Sequence, residues 1–156
     1  MIDYLKLFKD TATTGALTAI TTSAAVAACG QIETGNAIAP INAVSHIAWG
    51  DQAAQRERAS WKYTAVGLAL NAAAVTSWAL IFEAIFGKQA EQHDVGMALV
   101  GGIGVSACAY VTDYHVVPAR LTPGFEKRLS GRSLLGVYSV LALSLAAGAM
   151  LRTSSE

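Results

Sequence analysis

Four stretches of the chain carry no charged side chain: Thr11–Ala28, Tyr63–Phe82, Val95–Thr112 and Ser133–Leu151. Each holds about 18 to 20 residues, about 27–30 Å as α-helix, which matches the hydrocarbon core of a bilayer. None alternates with the period of two that a barrel strand requires. A chain in lipid must satisfy its backbone within helices or a closed barrel. The pattern therefore predicts an all-α fold, an integral membrane four-helix bundle forming a single domain over residues 1–156. Its transmembrane helices are expected at about 11–29, 63–86, 95–112 and 133–151.

The polar segments between these runs are unequal. Gly87–Asp94 is a short turn, whereas Gly30–Lys62 and Asp113–Arg132 are long connectors. Two spans separate the connectors, so both must emerge at one end of the bundle, with the termini and the short turn at the other. In the first connector, Gly35-Asn36 supplies a turn and an N-cap, and Pro40 suits a first helical turn. The composition from there to Arg58 predicts a connector helix at about 37–58, with Gly50 as its weak point. One face gathers Asn42, Ser45, His46 and Trp49, and another Ile41, Val44, Ile47 and Ala48. An amphipathic helix lying in the membrane interface is expected; a cap folded over the bundle is the alternative. In the second connector, Pro118 and Pro123 interrupt helix and Pro123-Gly124 reads as a turn. Phe125 is expected to dip into the interface, and Lys127, Arg128 and Arg132 to form a collar facing lipid headgroups.

Composition supports the membrane assignment. Hydrophobic residues make up 53% and charged residues 14%, against roughly 25% charged in soluble domains, and mean hydropathy is +0.41. The formal net charge is zero and there is no basic tail, so no nucleic-acid partner is expected; the expected partners are the lipid bilayer and a homo-oligomer or larger membrane complex. The connector end carries seven Lys and Arg (Arg56, Arg58, Lys62, Arg120, Lys127, Arg128, Arg132) against four at the other (Lys6, Lys9, Lys88, Arg152). The positive-inside rule then puts the connectors in the cytoplasm, in what is expected to be a bacterial inner membrane. Trp61, Tyr63, Tyr110 and Tyr114 suit interfacial anchors at that end.

Small residues mark close helix approach. Gly102-x-x-x-Ser106, Gly104-x-x-x-Cys108 and Ser144-x-x-x-Gly148 are small-x-x-x-small pairs of the kind that let helices pack in lipid. The small residues and hydroxyls of the first and third spans place those two near the centre, and the second and fourth are expected to face lipid more. Asn71, mid-span, is expected to find an interhelical partner. Val26-Ala27-Ala28-Cys29 loosely fits a lipoprotein cleavage site, but a core of Thr and Ala rather than Leu favours a retained span over a signal peptide.

Candidate chemistry gathers at the connector end. His46 and Asp51 come from the first connector, and Asp113 and His115 from the second. Cys29 and Cys108 supply redox or ligand thiols. Imidazole with carboxylate suits Zn, Fe or Mn, and thiolate adds Zn or Cu(I). No H-x-x-x-H, E-x-x-H or C-x-x-C spacing accompanies these residues, and neither a G-x-S-x-G elbow nor a phosphate-binding loop occurs. Three functions stay open: a non-catalytic subunit or accessory component of a membrane assembly, a metal-dependent membrane enzyme or redox protein using the connector face, and a small oligomeric transporter or channel. The spans hold few ionisable groups, Glu83 near one end being the exception, which disfavours the last.

Overall fold

A computed structural model describes residues 3–152. It is all-helical, with no strand among the described residues. Four helices are long and apolar enough to cross a membrane: α1 (Tyr4–Thr34), α4 (Val66–Glu91, entered through a π-turn at Trp61–Ala65), α5 (Val95–Val111, leaving through a π-turn at Thr112–Val116) and α6 (Gly131–Met150). Two short helices, α2 (Ala39–Val44) and α3 (His46–Trp49), lie in the first connector.

α1 outruns its charge-free stretch at both ends, and α6 at its start, because capping groups lie beyond them. Asp3 Oδ1 accepts from the backbone N–H groups of Leu5 and Lys6, both at 3.0 Å, so α1 begins well before Thr11. It ends at Gly35, whose left-handed φ of 69° lets the amides of Gly35 and Asn36 return to Gln31 and Gly30. At 31 residues, α1 is longer than a hydrocarbon core, so Lys6, Lys9, Asp10 and Glu33 belong to its outer turns. Asp94 caps α5 through Met97 N at 3.0 Å. The cap of α6 is shared: Glu33, at the far end of α1, accepts from Ser130 N at 2.8 Å and from the hydroxyls of Ser130 and Ser133 at 2.5 Å.

α1 packs against α4 and α6, and α5 against α4 and α6, with α4 and α6 also touching. The inner face of α1 is hydroxylic: Thr11, Thr14, Thr18 and Thr22 are all buried, at helical spacing. Thr18 and Thr22 donate to the carbonyls four residues back, at 2.7 Å, which lets a polar side chain sit in a lipid-free seam. Asn71 finds the interhelical partners expected of it, Ser23 Oγ at 3.1 Å and Thr22 Oγ1 at 3.4 Å.

The placing of the spans needs one correction. α6 was expected to face lipid, yet half of its most apolar stretch is buried, against a third for α1 and α5 and 22% for α4. Val137, Tyr138, Leu141, Leu145 and Ala149 form its inner face. They fill the relief that small residues leave on α1 and α5. At Gly102 a Cβ would lie 2.3 Å from the Ala142 carbonyl oxygen, so only glycine admits that approach. Small residues thus mark where helices meet, but the larger side chain opposite is the more buried partner.

The first connector also departs from the interfacial helix expected at 37–58. It is broken at Ser45 and again at Gly50 (φ 80°), and Asp51–Gln55 forms a 3₁₀ turn. Every residue from Ala39 to His46 is buried, on both expected faces. The connector folds back as a cap because it can come unusually close: a Cβ at Gly67 would meet the Ile41 carbonyl oxygen at 2.2 Å. Asn36 and Pro40 do start α2 as expected, with Asn36 Oδ1 accepting from Ile38 and Ala39 N at 2.9 and 3.0 Å. In the second connector Phe125 is buried in the core instead of dipping into the interface.

Candidate functional site

The two connectors meet, as the parity of the spans requires. Arg120 Nε donates to the Ile47 carbonyl at 3.0 Å and Arg128 Nε to that of Ala54 at 2.5 Å, while Lys127 pairs with Asp51. Two of the basic residues expected at the headgroups, Lys127 and Arg128, are therefore engaged in tying one connector to the other. The Lys127 ammonium, hydrogen-bonded to Asp51, holds that carboxyl below the usual aspartate range.

The residues of the expected site are dispersed within this region. His46 is 1% exposed. Its Nδ1 lies 3.0 Å from the Ala43 carbonyl oxygen and its Nε2 3.4 Å from that of Ala119, so the ring bridges the connectors. A neutral imidazole has one N–H and can donate to only one of these oxygens; the other nitrogen then faces a carbonyl without a proton between them. Asp51 is largely exposed and faces Lys127. Asp113 accepts from the Tyr138 hydroxyl at 2.5 Å. His115 packs edge-on to Tyr110 with ring centroids 6.0 Å apart. Cys29 is half-buried, Cys108 is exposed, and both are free thiols. Among the described residues no group of three or more His, Cys, Asp or Glu side chains is arranged to hold a metal ion. His46, Asp51, Asp113 and His115 are thus not drawn to one point.

A partly open cavity of about 80 Å³ lies between the connectors and α1, α4 and α6. Thr22 of α1, Asn71 and Trp78 of α4, Asp113 just beyond α5, Tyr138 of α6 and Phe125 of the second connector line it. Around Asp113 stand three tyrosines: Tyr110 lies 5.0 Å from Tyr114 and 5.3 Å from Tyr138 between ring centroids.

A second polar cluster closes the opposite end of the bundle. Glu83, with its side chain 1% exposed, accepts from Thr14 Oγ1 at 2.5 Å and from Arg152 Nη2 at 2.7 Å. Arg152 also reaches Asp10 at 2.8 Å, and Lys6 joins Asp10 and Glu91 at 2.9 and 3.0 Å. Sequence reasoning missed Tyr138 and Arg152 as polar partners. The available signal was Glu83 itself, since a carboxylate inside an apolar helix demands a donor.

No family model, curated protein or solved structure matches the chain.

Proposed function

We propose that this protein is a non-catalytic component of a membrane assembly, packing through its α5–α6 face against a second copy or another membrane subunit. The observation behind this reading is an outward-facing groove of about 580 Å³ between α5 and α6, lined by Ile103, Ala107, Tyr110, Leu135, Ser139 and Leu143. Ile103, Leu135 and Leu143 are exposed there. A Cβ at Gly131, which lines the groove, meets nothing within 4 Å, so this small position serves no contact among the described residues. Helix association in lipid depends on close packing at small residues, and this face offers it unused. Asn42, Ser45, Asp51, Arg120, Lys127 and Arg128 of the connectors, by contrast, are engaged in structural bonds. In this reading the protein sits in a bacterial inner membrane, and the seven-to-four excess of Lys and Arg at the connector end favours that end as cytoplasmic.

Single-molecule photobleaching of labelled protein in liposomes, together with analysis of co-purifying chains, tests the proposal. Complexes of more than one subunit, or a stoichiometric partner, are expected for the wild type. Ala107→Leu and Ser139→Leu fill the groove and should shift the protein toward single-step bleaching, with stability changed by no more than about 0.5 kcal/mol. A wild type that is strictly monomeric and carries no partner overturns the reading.

A further inference from the structure

Two carboxylates embedded between the spans are treated differently. Glu83 has Arg152 beside it. Asp113 receives one hydrogen bond, from Tyr138, and no Lys, Arg or His pairs with it among the described residues. Even a half-buried carboxylate is disfavoured without a cation, and this one lines a cavity.

The cavity supplies what a cation would use. Asn71 spends its amide N–H groups on Ser23 and Thr22, leaving Oδ1 with no hydrogen bond among the described residues. Asp113 Oδ1 is likewise without a donor there. Close by, the Tyr114 hydroxyl and Glu126 Oε2 are fully buried with no hydrogen-bond partner among the described residues. Trp78, Phe125 and Tyr138 contribute aromatic rings to the walls, and aromatic faces attract cations most strongly away from water. The volume of about 80 Å³ exceeds what a single water needs. A hard metal cation would require six or more oxygen ligands, whereas these walls are mostly apolar.

We propose that this cavity binds a small organic ammonium ion, a primary or methylated amine of about two to four heavy atoms. Its N–H groups donate to Asp113 and Asn71, and its alkyl part lies against Trp78 and Phe125. The proposal goes beyond the packing role and does not depend on it, since one chain supplies the whole lining.

Thermal unfolding of the purified full chain in detergent tests it, with methylammonium, ethylammonium and dimethylammonium chlorides as probes. Sodium chloride at equal ionic strength and ethanol are the controls. A saturable rise in Tm with the ammonium ions alone is expected. Asp113→Asn should abolish it, and Trp78→Leu should weaken the apparent affinity by roughly three- to thirty-fold. If Asp113→Asn does not yield a folded species, Trp78→Leu and Asn71→Leu decide the matter, and both must weaken the response. The site is refuted by a wild type that shows no rise at about 10 mM, where even a millimolar site is largely filled. An equal response in Asp113→Asn, or in the Trp78→Leu and Asn71→Leu pair, refutes it too, as does an equal effect of ethanol.

Discussion

Single polar side chains fix the connectors more than helix propensity does. Asn42 is fully buried and makes three bonds: its amide donates to the carbonyls of Arg56 at 2.9 Å and Arg58 at 3.1 Å, and its Oδ1 accepts from Thr64 Oγ1 at 2.6 Å. Replacing it with leucine keeps the volume but strands three polar groups. Asn42→Leu should therefore lower stability by roughly 2–4 kcal/mol, read as a fall in the midpoint of denaturant unfolding. Of Asn42, Ser45, His46 and Trp49, grouped on one helical face from the sequence, the first three are buried together and Trp49, beyond the break, is exposed. That Ile41 and Val44 of the opposite face are buried too was not legible. It depends on Gly67, 26 residues after Ile41, lying where that residue's carbonyl must pass.

At the scale of elements, the existence of all four spans could be read from charge-free length alone, while their ends could not. Hydropathy registers where lipid stops. Helices stop where capping groups sit, and Asp3, Gly35 and the Glu33–Ser130 pair lie outside the apolar runs. The breaking of the connector helix at Gly50 was foreseeable from its glycine; the break at Ser45, whose hydroxyl turns back to the Asn42 carbonyl at 2.7 Å, was not. Packing between spans is set by glycines of unequal weight, and two substitutions separate them. Gly102→Val drives a side chain into the Ala142 carbonyl and should cost roughly 1–3 kcal/mol in thermal or denaturant unfolding. Gly104→Val, two residues away and facing open space, should leave intrinsic stability within about 0.5 kcal/mol of the wild type.

Across the whole molecule, the two ends of the bundle are closed by different means. The connector end is held mostly by side chains donating to backbone carbonyls, with the isolated Lys127–Asp51 pair and the Glu33 cap of α6, and the opposite end by the Glu83–Arg152–Asp10–Lys6–Glu91 ion-pair chain. Arg152→Met leaves Glu83 buried without its cation and should destabilise the fold by roughly 3–5 kcal/mol, whereas Glu83→Gln in the same background should recover much of that loss. A double-mutant cycle on unfolding midpoints measures the coupling. Part of the candidate site was visible beforehand: Asp113 belonged to the connector-end cluster, and Asn71 stood out mid-span. Tyr138 was hidden because one tyrosine in an apolar helix gives no sign that it turns inward. The ties of α6 to the rest of the molecule also bear on biogenesis. Until the last span has left the ribosome, Glu33 lacks Ser130 and Ser133, Glu83 lacks Arg152 and Asp113 lacks Tyr138. A partly synthesised chain thus leaves Glu33 and Asp113 without these donors and Glu83 with Thr14 alone, and the final span with its flanks supplies all three at once.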